Sequence, residues 1–218
     1  IAYSSPKIDQ QVYNGAFQNF DPGHQINYRA AAILEPTKGL NLYASYSESY
    51  QPNLRIDINR GVLPPVRGKQ FELGAKYLVN RRLLLTASLF DIRESNVAVY
   101  DQMVDGEALY RSADVRHRGL ELEATGQITD RWQVKGGLAL LDPKVTNDPE
   151  HPVNNGETRP WLPKMTADLY TSYDFANGIT LGGGMRYVGA VKTYDLASAP
   201  TPDLGAYALF DASVGYTL

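Results

Sequence analysis

Apolar and polar residues alternate with a period of two along nine stretches of this chain, and helical spacing is almost absent. Such alternation indicates a β-strand that has one apolar face and one polar face. The sequence therefore predicts an all-β protein built from nine consecutive antiparallel strands. The predicted strands are Gln25–Glu35, Leu40–Tyr50, Gly68–Val79, Leu83–Arg93, Arg118–Ile128, Trp132–Leu141, Lys164–Tyr173, Ile179–Val188 and Ala208–Leu218.

The connections between the predicted strands alternate between short and long. The short connections carry turn residues, and the long ones are rich in Pro, Gly, Asn and Asp. In one long connection, Asp105-Gly106 lies between two β-prone runs, which predicts that the flanking strands continue as a hairpin. The short connections are 36–39, 80–82, 129–131 and 174–178, and the long ones are 51–67, 94–117, 142–163 and 189–207.

Strand length favours a membrane barrel over a soluble β-sandwich. Strands in soluble sheets average about five or six residues, whereas a tilted strand needs about nine to eleven to cross a bilayer. Outer-membrane barrels also pair short periplasmic turns with long extracellular loops. Aromatic residues near strand ends fit the interfacial girdles of such a barrel, although cross-strand packing explains each one singly. These residues are Tyr43, Tyr46, Tyr50, Tyr77, Trp132, Tyr173 and Tyr187.

The stretch from Phe71 to Phe90 shows how the two faces would be used. We expect its apolar set to face lipid and its polar set to face the lumen. The apolar set is Phe71, Leu73, Ala75, Tyr77, Leu83, Leu85, Ala87 and Leu89, and the polar set is Glu72, Lys76, Thr86 and Ser88.

An odd number of strands predicts an incomplete barrel. Single-chain bacterial barrels have an even number of strands and two periplasmic termini. With periplasmic short turns, nine strands would begin outside the cell and end in the periplasm. We therefore expect residues 25–218 to be part of a larger barrel and residues 1–24 to form an extracellular loop region.

Composition excludes a few classes of protein. The chain is 43% hydrophobic and 21% charged, as is usual for a folded protein. Its net charge of −3, without a clustered basic stripe, argues against nucleic-acid binding. Without cysteine there are no disulfides or thiolate metal sites. The chain begins at Ile1 without a signal-peptide pattern, which predicts a mature product or an excised piece.

Five stretches together resemble the barrel of TonB-dependent siderophore receptors. They are "LNLYASYSESYQPN" (40–53), "PPVRGKQFELGAKY" (64–77), "LTASLFDIRESNV" (85–97), "RHRGLELEATGQIT" (116–129) and "GGGMRYVG" (182–189). The resemblance implies a 22-stranded barrel in the bacterial outer membrane, of which these nine strands are similar to the twelfth to twentieth. It also implies a plug domain and a TonB box that these residues do not include.

The function implied by the resemblance is active import of a ferric siderophore, coupled to TonB. No enzymatic chemistry is expected, and iron enters only as part of the siderophore ligand, so no cofactor is implied. By their height in the barrel, seven aromatic or cationic residues are candidates to contact the ligand, although loop packing or solvation is the favoured explanation for each one singly. They are Tyr50, Arg67, Tyr100, Tyr110, Trp161, Arg186 and Tyr194.

Other groups of residues that suggest a metal, catalytic or phosphate site have simpler explanations. His24, His117 and His151 lie far apart in sequence and are expected to be solvated loop residues. The acidic loop 142–160 lacks the ligand spacing of an EF-hand, which argues against calcium. Glu121 and Glu123 follow the lumen face instead of forming a catalytic pair. The glycines at 182–184 lack the strand-to-helix setting of a phosphate loop and are expected to relieve crowding inside the barrel.

Three alternatives remain open from the sequence. A passive porin shares the alternation and the asymmetry of the loops. An outer-membrane enzyme or adhesin would share the barrel, but no nucleophile and base stand out for an enzyme. A soluble β-sandwich that binds a ligand would show the alternation without the barrel.

Overall fold

The computed structural model describes residues 2–4, 8–11, 17–20, 25–193 and 203–217. Four short strands come first, and they form two small antiparallel pairs, β1 with β4 and β2 with β3. These strands are β1 (Ala2–Ser4), β2 (Ile8–Gln11), β3 (Phe17–Phe20) and β4 (Gln25–Asn27). Residues of the predicted extracellular segment 1–24 that fall between these strands, His24 among them, lie outside the described residues.

A nine-stranded antiparallel sheet forms the body of the structure, and each strand pairs with its neighbours in sequence. The predicted all-β class and the nine consecutive strands are confirmed. The strands are β5 (Arg29–Thr37), β6 (Leu40–Gln51), β7 (Val66–Val79), β8 (Leu83–Val104), β9 (Glu107–Gln127), β10 (Trp132–Asn147), β11 (Met165–Asp174), β12 (Ile179–Val188) and β13 (Tyr207–Tyr216).

The first predicted strand, Gln25–Glu35, is wrong as a single element. Its beginning belongs to β4, and β5 starts only at Arg29. The two are separated at Tyr28, whose backbone N–H donates to the Glu48 carboxylate at 3.2 Å. The Tyr28 carbonyl still accepts from the Glu48 backbone N–H at 2.9 Å, so only the N–H of Tyr28 has a side-chain acceptor in place of a strand carbonyl.

The predicted hairpin in 94–117 is confirmed. Strands β8 and β9 continue far beyond the length needed to cross a bilayer, with 22 and 21 residues. They meet at Asp105 and Gly106, whose φ values of 51° and 80° suit a tight two-residue hairpin turn. The hairpin therefore rises above the rest of the sheet on the side of the long loops.

The pairing register shows which residues share a face of the sheet. Leu73 pairs with Leu89, Leu89 with Leu120, and Leu120 with Leu140, so one apolar row crosses β7 to β10. Leu73 is 61% exposed and Leu89 58% exposed. A continuous exposed apolar face of this kind requires an apolar solvent. We call it the outer face, and the apolar and polar sets predicted for Phe71 to Phe90 lie on opposite faces of the sheet, as expected.

Tyr43 does not belong to the predicted aromatic girdle. It lies on the polar inner face, opposite Gly74, and its hydroxyl donates to Glu72 at 2.6 Å. A Cβ atom at Gly74 would come within 2.3 Å of the Tyr43 ring. The ring therefore occupies the space that the glycine leaves free.

Two further glycines of the inner face support the expected relief of crowding. A Cβ atom at Gly182 would lie 2.6 Å from the hydroxyl of Tyr170, and one at Gly184 would lie 3.3 Å from its ring. The glycine-rich segment therefore makes room for an aromatic side chain of the neighbouring strand.

The sheet does not close on itself. Its outermost strands, β5 and β13, do not pair with each other among the described residues. The buried core lies in the tall hairpin and its loops, where Val99, Ala113 and Val145 form one cluster. In the same described part of the chain, no helix is long and apolar enough to span a membrane. The predicted total of 22 strands stays a prediction.

Candidate functional site

The long connection between β6 and β7 folds against the β8–β9 hairpin. The backbone N–H of Tyr110 donates to the carbonyl of Ile56 at 2.9 Å. Ile56 and Leu63 are 6% and 4% exposed, so the connection has an apolar anchor of its own. This anchor holds the preceding residue, Arg55, beside the hairpin.

Arg55 and two tyrosines form a cationic and aromatic cluster on the side of the long connections. The Arg55 guanidinium carbon lies 4.6 Å from the centre of the Tyr110 ring. Tyr110 pairs across the hairpin with Tyr100, and their rings meet edge to face at 6.2 Å. We call these three residues the hairpin cluster. Arg55 is exposed and both tyrosines are half-buried, so the cluster remains accessible.

The cluster brings together two of the predicted ligand candidates, Tyr100 and Tyr110. Sequence reasoning missed Arg55, because its contact depends on how the connection 52–65 folds back. The sequence carried no clear signal for the anchor, because Leu54 and Ile58 of the same connection are 52% and 53% exposed.

A second polar group lies on the inner face, at the base of the hairpin. Arg159 Nη1 lies 3.0 Å from His117 Nε2 and 3.6 Å from Glu94 Oε2. His117 is 7% exposed, and its Nε2 lies 3.4 Å from Glu94 Oε2. His117 is therefore a buried member of a polar network, and the expectation that it is a solvated loop residue is wrong.

The connection between β10 and β11 is fastened by a buried ion pair. Arg111 Nη2 donates to Asp148 Oδ2 at 3.0 Å, and Arg111 Nη1 donates to the Tyr100 carbonyl at 2.8 Å. Asp148 also accepts from the Asn154 amide at 2.8 Å and from the His151 backbone N–H at 3.1 Å. Asp148 is thus satisfied by protein groups.

These contacts set the ionisation of Asp148. Burial by itself would raise the pKa of this carboxyl, but the hydrogen bonds from Arg111, Asn154 and the His151 backbone outweigh it and hold the pKa below its usual value. Asp148 is therefore an anion that is matched to Arg111. No group of three or more potential metal ligands is found among the described residues.

The structure gives the facing of two ligand candidates that the sequence placed only by height. Tyr50 and Arg67 are cross-strand partners, in an unbroken register with the pair Tyr46 and Phe71. Because side chains alternate along a strand, all four lie on the outer face. Tyr50 and Arg67 point away from the lumen. The same alternation along β9 places Tyr110 on the side of Leu120, so the hairpin cluster differs from Tyr50 and Arg67 in height and not in facing.

The remaining candidates occupy separate places. Trp161 is 54% exposed, and its backbone N–H donates to the Lys192 carbonyl at 2.8 Å, which ties two long loops together. Arg186 lies on the inner face opposite Asp168. Tyr194 lies outside the described residues. Whether any of these residues contacts a ligand stays a prediction.

The inner wall is acidic below the His117 network. Below the His117 network it carries Glu121, Glu123 and Asp168 on one face, as the register requires. Glu121 and Glu123 thus follow the inner face as expected from the sequence.

Comparison with known proteins identifies the architecture. The family model described as "TonB dependent receptor-like, beta-barrel" matches residues 3–218. The Ferrioxamine B receptor of Salmonella typhimurium strain LT2 is 30% identical over 201 residues, which is 89% of this chain and 28% of that protein. The Ferrichrome outer membrane transporter/phage receptor of Escherichia coli K12 is 31% identical over 202 residues, 89% of this chain and 26% of that protein.

Solved structures agree with this result. The ferric-catecholate import receptor Fiu of E. coli K12, in its closed form, superposes with a TM-score of 0.78 at 26% identity and covers 93% of this chain and 30% of its own. The siderophore receptor PiuA of Acinetobacter baumannii gives 0.76 at 25% identity, covering 95% and 32%. This chain therefore spans roughly a quarter to a third of the length of these relatives.

Proposed function

Since the chain belongs to the TonB-dependent receptor β-barrel family, we propose that it acts within a receptor that imports a ferric siderophore with energy supplied through TonB. It lies in the bacterial outer membrane, where its outer face contacts lipid. The family match along residues 3–218 carries the proposal. The relatives are transport receptors for ferrioxamine, ferrichrome and catecholate siderophores, not enzymes.

The hairpin cluster supports an extracellular ligand contact. Ferric siderophores are compact chelates that often carry negative charge or aromatic rings. A guanidinium over an aromatic face, beside a second aromatic edge, offers such a ligand both a cation and stacking surfaces. We therefore assign Arg55, Tyr100 and Tyr110 to the first contact with the ligand, and Arg186 to the wall below.

The polar network of Arg159, His117 and Glu94 has a structural role below the hairpin cluster. Arg159 enters the network from the β10–β11 connection, while Glu94 and His117 belong to β8 and β9. The network thus joins a loop to the barrel wall. A ligand held above it would meet a loop of fixed position.

Growth on defined iron sources tests the proposal. The full-length receptor is expressed in an iron-starved strain that makes no siderophore and lacks its own siderophore receptors. We expect growth on at least one ferric hydroxamate or catecholate that requires both the receptor and TonB. Growth that persists without TonB would instead indicate a passive porin. The same strain with empty vector controls for uptake by other routes.

A further inference from the structure

Two arginines on the inner side of the tall hairpin differ in how fully their donors are used. All three side-chain nitrogens of Arg111 have partners, since Nε and Nη2 donate to Asp148 and Nη1 donates to a backbone carbonyl. In Arg159 only Nη1 has a partner among the described residues, 3.0 Å from His117 Nε2 and 3.6 Å from Glu94 Oε2. A guanidinium carries five N–H donors, so most donors of Arg159 are open.

The open donors of Arg159 lie on the side of the lumen. The alternation along β8 and β9 places Glu94 and His117 on the inner face, and Arg159 reaches both of them there. The Arg159 side chain is 29% exposed, compared with 8% for Arg111. Since a guanidinium can only donate, the buried His117 ring accepts through Nε2 and holds one end of the Arg159 side chain.

The backbone fixes the position of Arg159 without help from its side chain. The Arg159 N–H donates to the Pro143 carbonyl at 2.9 Å. Val145 donates to the Glu157 carbonyl at 3.0 Å and accepts from the Gly156 N–H at 2.8 Å. Segment 156–159 therefore lies along the end of β10 and presents a preorganised guanidinium, which lowers the entropic cost of binding a ligand.

The charges near Arg159 that remain unpaired are negative. Glu94 balances the charge of Arg159, and the Asp148 and Asp101 carboxylates balance Arg111. Two further carboxylates of the same loop are exposed and have no side-chain partner in the part of the chain that the structure describes. They are Glu150 and Glu157. An anionic ligand is therefore repelled beside Arg159, and a neutral ligand is not.

The same sign holds along the inner side of the described sheet and in residues 148–164, which cover it. Carboxylates outnumber lysines and arginines there. The carboxylates are Glu72, Glu94, Asp101, Glu121, Glu123, Asp148, Glu150, Glu157, Asp168, Asp174 and Asp211. The cations are Arg29, Lys76, Arg111, Lys135, Arg159, Lys164 and Arg186. Around the hairpin tip, the charged residues are Asp57, Asp105 and Glu107 against Arg55 and Arg60. Neither region therefore offers an anion an excess of positive charge.

Open donors without excess positive charge suit an uncharged chelate that has exposed oxygen acceptors. In a ferric trihydroxamate, three hydroxamate groups neutralise the three charges of iron(III). Each group keeps two adjacent oxygens that can accept hydrogen bonds from the parallel donors of a guanidinium. A ferric tris-catecholate has similar oxygens but carries three negative charges.

We propose that Arg159 donates hydrogen bonds to the oxygens of a ferric hydroxamate, and that the receptor binds hydroxamate chelates in preference to catecholates. The inference rests on the proposed siderophore uptake and specifies its ligand class. The hairpin cluster makes the first contact, and Arg159 binds the same ligand below it. Both contacts use guanidinium donors and hydroxamate oxygens, so they are compatible.

Binding of defined chelates to the purified full-length receptor tests the proposal. The uncharged hydroxamate probes are ferrichrome and N-acetylated ferrioxamine B, and the catecholate probe is ferric enterobactin. The test variant is R159Q. The matched control is K144Q, which removes a cation from the opposite face of β10. Amide exchange in residues 147–160 verifies that the loop keeps its position in each variant.

We expect the unchanged receptor to bind at least one of the two hydroxamates more tightly than ferric enterobactin. R159Q should weaken binding of that hydroxamate by roughly tenfold, because a hydrogen bond from a charged donor contributes on that scale. Amide protection of the loop should stay the same in R159Q, and K144Q should bind as the unchanged receptor does. In E150Q/E157Q the affinity for ferric enterobactin should rise by roughly threefold for each carboxylate removed.

Three outcomes would overturn the proposal. Tighter binding of ferric enterobactin than of both hydroxamates would refute the ligand class. Equal hydroxamate affinity in R159Q and the unchanged receptor would refute the contact with Arg159. Loss of loop protection in R159Q together with loss of binding would give Arg159 a structural role only. Failure of the proposed uptake is distinct from these outcomes, because the unchanged receptor would then support no TonB-dependent growth on any chelate.

Discussion

Arg111 on β9 and Asp148 beyond the end of β10 form a buried ion pair, with Nη2 and Oδ2 3.0 Å apart and side-chain exposures of 8% and 2%. The pair joins the hairpin to the start of the loop after β10, whose later part is held by backbone hydrogen bonds such as Arg159 N–H to the Pro143 carbonyl at 2.9 Å. Because Asp148 also accepts hydrogen bonds from Asn154 and the His151 backbone, one carboxylate organises the whole start of the loop.

Replacing Asp148 should release this loop. In D148N the buried Arg111 guanidinium loses one of its two carboxylate partners and keeps Asp101 at 3.3 Å, so the cost stays below the ~3–5 kcal/mol of a buried pair broken completely on one side. We expect faster amide hydrogen exchange and proteolysis in residues 147–160, while the membrane strands stay protected. The matched control is E107Q, which removes the Arg60 partner at the exposed hairpin tip. Equal protection of the loop in D148N and the unchanged protein would contradict the role of the pair.

The Asp148 carboxylate also predicts that the protection of residues 147–160 depends on pH. The pKa of Asp148 is lowered in the folded loop, so its stabilising contribution is fully present above the ordinary aspartate value of about 3.9. It is lost as the pH falls below that value and through the lowered pKa. Protease protection of residues 147–160 should therefore be constant from pH 7 to 5 and should decrease below pH 4. D148N should lack this acid step, and an equal acid step in D148N would show that another group causes it.

The strands were predictable because their signal is local. Alternation fixes the face of each residue within a strand, so Leu73 and Glu72 were assigned correctly from sequence alone. The split at Tyr28 depends on a carboxylate twenty residues away, and no local pattern reports it.

The candidate site was only partly predictable. Tyr100 and Tyr110 were found because both lie next to the Asp105-Gly106 turn. Tyr50 and Arg67 were chosen by height alone, although continuing the alternation from Phe71 would have placed Arg67 on the outer face. The contacts of Arg55 with Tyr110 and of Arg111 with Asp148 depend on how loops fold back, which one sequence does not encode in any short pattern.

Substitution of Gly74 should destabilise the barrel, because the Tyr43 ring covers this position. In G74A the new Cβ would lie 2.3 Å from the Tyr43 ring, and overpacking of this kind costs about 1–3 kcal/mol. We expect a lower free energy of unfolding of the barrel in urea, measured in detergent or lipid vesicles. G183A is the matched control, since its Cβ meets no atom closer than 3.7 Å. The double variant Y43A/G74A should recover part of the loss, and no recovery would mean that the contact with Tyr43 is not the cause.

The hairpin cluster predicts that two sets of candidate residues differ in their effect on siderophore binding. R55Q removes the cation over the Tyr110 ring, and Y110A removes the ring itself. If the cluster makes the first contact with a ferric siderophore, each variant should weaken its binding by roughly tenfold. Binding is measured by quenching of intrinsic fluorescence in the purified full-length receptor, with the siderophore that supports growth. Y50A and R67Q are the matched pair on the outer face and should bind as the unchanged receptor does. A tenfold loss in R67Q with none in R55Q would reverse the assignment and place the ligand contact outside the hairpin cluster.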